Sequence, residues 1–360
     1  MGPQRGEGTQ CPGGDLGYDS AVTSRPPTIR DVAERAGVSV TTVSHVYSGK
    51  RKVASETTAR VLRVGAEIGY HPDGVARTLA SGRSTTIALE IELAGGNFLL
   101  NPYFSSVMSA LSVAAIEKGF TFALLPNDPS ESEAVRAALR PRGVAGAIIV
   151  EPTASNRWIP ALLEDGVRVV TIGRYPIALE TSWVDNDHRA GMNDAVRHLA
   201  DQGYGRIALL SVHERTSLVI DLESAFGEAI AEGGLAGRIV FMGDLVEASA
   251  RDITHEILGS KNPPDAIIGV IDRVAVGIMQ AATERGVSVP QDLGVIGVGD
   301  TVLSRLSDPP FTSIQSTPNE LAHEAVRLVR AIWVDPEMPD SQVLLPAELQ
   351  VRASTLRRGT

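Results

Sequence analysis

Two hydrophobic periodicities divide the chain. In residues 28–69 the apolar side chains recur every three or four positions, which predicts short amphipathic helices. From Ile87 onward, short apolar runs alternate with longer helical patterns, and this alternation predicts parallel sheets with helices on both faces. The apolar runs lie at 87–89, 120–125, 147–150, 167–172, 207–211, 239–242, 266–270 and 295–298. The helical patterns lie at 104–118, 131–139, 188–202, 218–232, 248–258 and 275–285. Because a body of about 230 residues is large for a single hydrophobic core, we expect it to form two lobes. The predicted fold is therefore an all-α head followed by a two-lobe α/β body.

The first helix of the head is marked at both ends. Thr28 is placed to cap this helix, and Asp31 is placed to return the hydrogen bond, as in a capping box. Gly37 suits the left-handed residue that ends many helices. The apolar face of the helix lies at helical spacing and consists of Ile29, Val32, Ala33 and Ala36.

A second helix follows after a short turn. Ser39 is expected to cap it, and it runs over about residues 40–48. So short a turn holds the two helices at a steep angle, which is typical of a helix-turn-helix unit. A third helix is predicted over residues 56–68, with Ser55 as its cap and Gly69 as its end.

The side chains of the second helix suit contact with DNA. Thr41 and Ser44 offer hydroxyl groups to base edges or phosphates, and Val40 can touch a thymine methyl group. The basic residues at 50–52 follow at once and can reach the DNA backbone. A plain three-helix bundle is the alternative interpretation of the same pattern.

The charge distribution favours the DNA-binding interpretation. The whole chain carries a net charge of −10, but residues 25–85 contain ten basic and five acidic side chains, which leaves −15 on the rest. A basic head on an acidic body is expected when only one part of a protein touches phosphates. A merely solvated charged surface remains the alternative when charge is considered alone.

The head resembles a known family of repressors. The segments TIRDVAERAGVSVTTVS (28–44), EIGYHPD (67–73) and VARTL (75–79) resemble the DNA-binding region of the LacI/GalR family. In that family a hinge segment folds into a short helix when two subunits meet on an operator, and it inserts a leucine into the minor groove. The resemblance implies such a hinge over residues 73–80, with Leu79 as the wedge and Arg77 beside it. The candidate DNA-binding residues are Thr28, Ser39, Val40, Thr41, Ser44, His45, Lys50, Arg51, Arg77 and Leu79.

Two positions depart from the family pattern. His45 stands where an arginine is usual, and a histidine offers a single hydrogen bond where arginine would grip guanine with two. Gly74 lies inside the expected hinge helix, where glycine costs about 0.5–1 kcal/mol relative to alanine. Both departures bear on which operator is bound and how readily the hinge folds.

The resemblance continues through the body. It is carried by NPYF (101–104), VDNDHRAG (184–191), HLADQGYGRI (198–207) and VIGVGD (295–300). These segments imply a periplasmic-binding-protein-like fold of type I. The expected divisions are a tail (1–24), a helix-turn-helix domain (25–71), a hinge and linker (72–85), an effector-binding and dimerisation domain (86–354) and a tail (355–360). Within the body, lobe one is expected over about 87–186 and 317–345, and lobe two over about 187–314 and 346–354.

The expected effector site departs most from the family. Where sugar-binding members place three polar contacts, this chain has Leu222, Ile271 and Gly299. A buried sugar needs a partner for each hydroxyl, so we expect an effector that is not bound like a simple hexose. The loop at 94–100 also contains about five extra residues before Asn101. The candidate effector-binding residues are Tyr103, Phe104, Glu151, Arg174, Leu222, Ile271, Asp272, Arg273, Gly299 and Asp300.

The sequence predicts a transcriptional regulator with no catalytic site, metal or cofactor. It contains no Walker loop, nucleophile elbow, complete dinucleotide fingerprint or metal-ligand spacing of histidines, and its one cysteine is Cys11. No segment is apolar enough to span a membrane, so a cytoplasmic protein is expected. The favoured hypothesis is a homodimeric repressor of a pseudo-palindromic operator, controlled by a small molecule bound between the lobes. The alternatives are a regulator without ligand control, a solute-binding protein and a sugar-converting enzyme.

Overall fold

Three helices surround a small apolar core in the head. The computed structural model describes residues 25, 27–48, 51, 53–70, 84–91, 101–126, 137–139, 143–177, 179 and 181–357. The head helices are α1 (Ile29–Ala36), α2 (Val40–Ser48) and α3 (Ser55–Glu67). Their buried core consists of Val32, Ala33, Ala36, Val43, Val61 and Val64. Inter-residue contacts divide the chain into two compact units, Met1–Ser81 and Gly82–Thr360, so the head and the body are separate units.

The ends of the head helices follow the capping residues, with one exception. The Thr28 backbone N–H donates to Asp31 Oδ2 at 2.6 Å, and Gly37 ends α1 with a φ of 64°. The Thr42 N–H donates to Ser39 Oγ at 3.1 Å at the start of α2. The predicted start of the third helix is wrong by one residue, because Ser55 already lies inside α3 and Ala54 occupies the cap position. Helix ends defined by backbone hydrogen bonds often shift by a residue from the residue that composition favours.

The first half of the body is a parallel six-stranded sheet. Its order is β11-β5-β4-β3-β1-β2, and every neighbouring pair is parallel. The strands are β1 (Thr86–Ile91), β2 (Thr121–Leu124), β3 (Gly146–Val150), β4 (Val169–Ile172), β5 (Ser182–Asn186) and β11 (Gln342–Leu345). The associated helices are α4 (Pro102–Lys118), α5 (Trp158–Glu164) and α11 (Pro318–Val334).

The second half repeats this architecture. Its sheet has the order β12-β10-β9-β8-β6-β7 and is parallel except for the pairing of β10 with β12. The strands are β6 (Arg206–Val212), β7 (Ala236–Met242), β8 (Ala266–Gly269), β9 (Gly294–Gly299), β10 (Thr312–Gln315) and β12 (Leu349–Gln350). The helices are α6 (His188–Asp201), α7 (Ser217–Glu232), α8 (Glu247–Leu258), α9 (Asp272–Glu284) and α10 (Val302–Leu306), and a 3₁₀ turn covers Ala353–Thr355. The prediction of a two-sheet α/β body is confirmed.

The chain passes between the two halves three times, and one side chain joins the crossings. The first crossing lies between β5 and α6, the second between β10 and α11, and the third between β11 and β12. The Asn186 side-chain amide donates to Thr317 Oγ1 at 2.8 Å and to the Pro346 carbonyl at 3.2 Å. Asn186 Oδ1 accepts the Thr317 N–H at 3.1 Å. Asn186 therefore connects all three crossings from a buried position.

Four predicted segments lie wholly or mostly outside the described residues. These are the tail at 1–24, the hinge, the loop at 94–100 and the helical pattern at 131–139. Among the helices that the structure does describe, none has the length and apolar character needed to cross a bilayer.

Close packing of α8 against α9 requires a glycine at position 277. A Cβ atom there would lie 2.7 Å from Ala250 Cβ and 3.0 Å from Arg251 N, and closer still to the carbonyl oxygen of Glu247. Replacing Gly277 with alanine is therefore expected to destabilise the body by about 1–3 kcal/mol through overpacking. The measurement is urea denaturation followed by circular dichroism.

Gly227→Ala is the matched control, because Gly227 also lies in a helix but has open space at its Cβ position. Alanine is expected there to be neutral or to stabilise by up to about 1 kcal/mol. Equal effects of the two substitutions would contradict the packing explanation.

Candidate functional site

The exposed surface of α2 presents the side chains predicted to contact DNA. Val40 is 42% exposed, Thr41 is exposed, and Ser44 and His45 are half-buried. Val43, on the opposite side of the helix, is fully buried in the core of the head. The helix thus has one face in the core and one available to a partner.

Other predicted DNA-binding residues lie at the helix ends and beyond the described segments. Thr28 hydrogen-bonds to Asp31 at the start of α1, and Ser39 caps α2. Arg51 is exposed. The remaining three, Lys50, Arg77 and Leu79, fall outside the described residues.

A cavity of about 210 Å³ lies at the carboxyl ends of strands from both sheets of the body. Carboxyl ends of parallel strands meet at one edge of a sheet, which is where α/β proteins place their ligands. Glu151 follows β3, Glu214 lies beyond β6, and Ile271 lies between β8 and α9. Seven of the ten predicted effector-binding residues line this cavity, namely Tyr103, Phe104, Glu151, Ile271, Asp272, Arg273 and Gly299.

Three predicted residues lie outside the cavity lining. Leu222 is fully buried in the hydrophobic core under the second sheet. Asp300 is paired with Arg352 at 2.6 Å and with Arg305 at 3.6 Å. Arg174 is taken up by carboxylates near the cavity. Each of the three was a candidate from the sequence. In the structure, packing in the core or ion pairing gives each side chain a partner outside the cavity lining.

Glu151 and Tyr103 form the polar centre of the cavity lining. The Tyr103 hydroxyl donates to Glu151 Oε1 at 3.0 Å. Removal from bulk water, with a further contribution from the negative charge of Asp185, raises the pKa of Glu151 to about 8, while the Tyr103 hydrogen bond opposes this shift. Glu151 has a φ of 51°, unusual for a residue with a side chain. Because its pKa is about 8, the Glu151 carboxyl group is largely protonated at neutral pH.

A network around Asp185 joins the two halves of the body beside this pair. Arg174 Nε donates to Asp185 Oδ2 at 3.1 Å, and the same oxygen accepts the Ser217 hydroxyl at 3.1 Å. Arg174 also pairs with Asp221 on α7. Arg174 and Asp185 belong to the first sheet's half, whereas Ser217 and Asp221 belong to the second. Asp185 is thus paired with Arg174 within the first half, and the contacts of Arg174 with Asp221 and of Asp185 with Ser217 cross the boundary between the halves.

His188 lies between the network and the cavity. Its Nε2 is 3.8 Å from Asp185 Oδ1, while its Nδ1 has no hydrogen-bond partner within the described part of the chain. Burial lowers the pKa of His188, with Asp185 opposing the shift and Arg174 reinforcing it. The imidazole is 4% exposed and lines the cavity as a neutral group at neutral pH.

Asp272 and Arg273 also have partners within the protein. Asp272 accepts hydrogen bonds from the Thr301 N–H at 2.6 Å, the Thr301 hydroxyl at 2.7 Å and the Ser313 hydroxyl at 2.7 Å. Burial raises the pKa of Asp272 to about 6 against these hydrogen bonds. Arg273 is held by Glu247 through bonds of 2.8 and 2.6 Å. Both side chains support the wall of the cavity more than they offer free groups to a ligand.

Sequence reasoning missed several cavity residues. His188, Glu214, Asp244, Thr153 and Thr301 line the cavity but were not predicted to. Glu214 and Asp244 come shortly after β6 and β7, so their position after apolar runs was the available signal. Across the described segments, no cluster of three or more histidine, cysteine, aspartate or glutamate side chains could hold a metal ion.

Family models match both units of the chain. The model described as "Bacterial regulatory proteins, lacI family" matches residues 28–73, and the model "Periplasmic binding protein-like domain" matches residues 196–355. The HTH-type transcriptional regulator AglR of Rhizobium meliloti (strain 1021) is 30% identical over 345 residues, which cover 92% of this chain and 94% of AglR.

Two solved structures share the whole architecture. A complex of the transcriptional regulator CelR with cellobiose superposes with a TM-score of 0.70 at 25% identity, covering 91% of this chain and 99% of that one. A lac repressor dimer bound to its operator and the anti-inducer ONPF has a TM-score of 0.71 at 26% identity, covering 92% and 100%. The chain therefore belongs to the LacI/GalR family and is a DNA-binding transcriptional regulator.

Proposed function

We propose that the chain acts as a homodimeric repressor of a pseudo-palindromic operator and that a small molecule in the body cavity modulates its DNA affinity. The observation that carries the proposal is the exposed face of α2, which follows a short turn and presents Val40 and Thr41 at its start. In helix-turn-helix proteins the second helix enters the major groove with its N-terminal residues against the bases.

The proposed contacts divide into base readout and backbone positioning. Thr41 and Ser44 would hydrogen-bond to base edges, Val40 would touch a thymine methyl group, and His45 would supply one further hydrogen bond. Lys50, Arg51 and the caps Thr28 and Ser39 would face phosphates. Leu79 would open a base step in the minor groove, with Arg77 beside it. A DNA-binding protein acts in the compartment that contains the DNA, which for this family is the cytoplasm.

A second copy of the chain is the proposed partner in the body. One recognition helix contacts too few bases for specificity, whereas two half-sites multiply the discrimination. Ile116 on α4 is 74% exposed and Leu306 on α10 is 79% exposed, which is unusual for large apolar side chains. The similar lac repressor structure is a dimer on its operator. Burial of these side chains against a second copy would remove them from water.

The effector would act by changing how the two halves of the body are joined. Ligands in such clefts contact both halves, and coupling between two sites is typically about 1–3 kcal/mol. The CelR neighbour is complexed with cellobiose. In this chain Leu222 is withdrawn into the core and Ile271 lines the cavity, so a hexose would lack polar partners at these two positions. The same replacements favour the second candidate function, a regulator of the same fold without ligand control.

The proposal includes no catalytic role. Asp272 and Arg273 of the cavity lining are committed to protein partners, through the hydrogen bonds of Asp272 with Thr301 and the pair of Arg273 with Glu247.

The first experiment is selection of bound duplexes from a random DNA pool at a stated salt concentration. An enriched palindrome supports the dimeric repressor, and the absence of any enriched sequence contradicts it.

Thr41→Ala tests the choice of recognition helix. Because Thr41 is exposed, the substitution is expected to leave the fold intact and to cost about 1–3 kcal/mol of specific binding. Repeated selection should relax the preference at one symmetric pair of base positions. The measurements are fluorescence anisotropy with the selected and a scrambled duplex and circular dichroism as the folding control. An unchanged preference would mean that α2 does not read the bases.

Leu79→Ala tests the wedge. The affinity for the selected operator is expected to fall by at least about tenfold. The reason is that alanine is too small to fill the space between the separated base pairs of the bent operator. Binding to the scrambled duplex should change little, since phosphate contacts supply it. The ratio of the two affinities is the readout, and an equal loss on both duplexes would contradict the wedge.

A further inference from the structure

Charge is distributed unevenly around the cavity. Four carboxyl groups line it, those of Glu151, Glu214, Asp244 and Asp272, against the single guanidinium of Arg273. That guanidinium is already neutralised by Glu247 through two short hydrogen bonds. His188, the histidine of the wall, is neutral at neutral pH because burial lowers its pKa. The cavity therefore offers negative potential to whatever enters it.

Glu151 differs from the buried acids Asp185 and Asp272, because it has neither a cationic partner nor several hydrogen-bond donors among the described residues. Asp185 is paired with Arg174, and Asp272 accepts three hydrogen bonds from Thr301 and Ser313. Glu151 accepts the Tyr103 hydroxyl, and no ion pair joins it to a basic side chain in the described parts of the protein. A carboxyl group in this situation favours its neutral form until a positive charge arrives.

The groups that surround Glu151 suit a cationic amine. Tyr103 and Phe104 form an edge-to-face pair with ring centroids 5.4 Å apart, and both rings line the cavity. Aromatic faces beside a carboxylate are the combination that attracts ammonium groups. The buried His188 Nδ1, which lacks a partner among the described residues, is a second polar atom on the same wall. It can accept a hydrogen bond from an amine when the proton of the neutral ring is on Nε2.

Much of the rest of the wall is apolar, although Thr153 and Thr301 also line it. The apolar side chains include Leu218, Val219, Val246, Val270 and Ile271. These side chains can pack against an apolar body but cannot pair with a set of hydroxyl groups. The cavity of about 210 Å³ also requires a compact ligand.

We propose that the effector is a compact molecule with an apolar body and a cationic amino group, bound by the carboxylate of Glu151 beside the Tyr103–Phe104 pair. This inference rests on the proposed control by a small molecule. It adds the chemical class of that molecule. No covalent step is involved, but binding includes a proton transfer: the Glu151 carboxyl releases its proton to solvent and its carboxylate then pairs with the ammonium.

The proton transfer gives the binding a characteristic pH dependence. The groups that face Glu151 are the Tyr103 hydroxyl, Asp185 with its partner Arg174, and the neutral His188. Alkylamines stay protonated up to a pH of about 10. Below that pH, the ionisation of Glu151 therefore controls how the affinity for the amine changes with pH. Affinity for an amine is expected to rise about tenfold for each pH unit below 8 and then to level off. A neutral ligand held by the protonated carboxyl would show the opposite trend.

The test uses the full chain and amines paired with their neutral isosteres. The pairs are 2-phenylethylamine with 2-phenylethanol, cyclohexylamine with cyclohexanol, and glucosamine with glucose. Isothermal titration calorimetry is run from pH 6 to 9 in buffers of different ionisation enthalpy, so that proton release is measured directly. At least one amine is expected to bind at least about tenfold more tightly than its partner and to release about one proton at pH 7.

Glu151→Gln should remove both the preference for the amine and the proton release. Glutamine has the shape and charge of the protonated carboxyl, so the fold is expected to persist, and the melting temperature verifies this. Glu232→Gln is the control, because Glu232 is an exposed residue at the end of α7 and the same side-chain replacement is made away from the cavity. Tyr103→Phe is a second variant that leaves the Glu151 carboxyl in place but removes its hydroxyl donor.

Each result decides the inference. Equal binding of amines and alcohols, an amine preference that survives in Glu151→Gln, or no binding by any amine of the panel at millimolar concentration would overturn it. Operator selection by the same preparation separates this failure from that of the proposed function. A chain that selects a palindrome but ignores all the amines is still a repressor, with an effector of another class.

Discussion

The three crossings between the sheets, joined at Asn186, are the constraint on which the body depends. Because both sheets are parallel apart from the pairing of β10 with β12, and the chain leaves β5, β10 and β11 at their carboxyl ends, those ends are brought to one region of the body. The buried side-chain amide of Asn186 uses both its nitrogen and its oxygen in hydrogen bonds to the other two crossings. A polar group that is satisfied in this way makes the arrangement specific as well as stable. The cavity is a consequence of this connectivity, since loops from both sheets must line the space between them.

Ion pairing then determines which polar groups remain available in that space. A buried ion pair contributes little net stability, but removal of one member leaves an uncompensated charge that costs several kcal/mol, about 3–5 in typical cases. In the pairs of Arg174 with Asp185 and Arg273 with Glu247, one member is buried and the other is partly exposed, so the cost of removing a member is smaller. These pairs neutralise Arg174 and Arg273 and leave Glu151 without a cationic partner among the described residues. The same pairs explain why Arg174, although close in sequence to the first sheet's loops, does not line the cavity.

The sequence predicted most of the head and the central strands, for identifiable reasons. Thr28, Asp31 and Gly37 are local signals, and the structure uses each of them at an end of α1. The strands β3 and β8 are buried along their whole length and therefore appear as continuous apolar runs. Elements without such signals were predicted poorly. The start of β7 is exposed and consists of Ala236, Gly237 and Arg238, so only its last residues were found. The edge strand β11 alternates exposed with half-buried positions.

The long helix α11 was missed although its signal was present. Its buried side chains, from Leu321 to Ile332, recur at helical spacing. For the cavity, the structure places the candidates Glu151 and Ile271 in the lining, but not Leu222 and Asp300. A sequence gives the place of a residue along an element. It does not show which partner the side chain contacts. Leu222 packs in the hydrophobic core, and Asp300 forms an ion pair with Arg352.

The proximity of Glu151 to Asp185 links occupancy of the cavity to the contact between the two halves. Asp185 already raises the pKa of Glu151, and by reciprocity a negative charge on Glu151 changes the potential at Asp185 and its partner Arg174. Arg174 reaches across to Asp221 on α7, so any change in its pairing acts on the boundary between the halves. A neutral ligand would leave these charges as they are. A cationic ligand would cause Glu151 to release its proton to solvent and would then pair with the resulting carboxylate. The charges beside the Arg174 network would change as a result. A charged effector would thus have a direct electrostatic route to the contacts between the halves, which a hexose lacks.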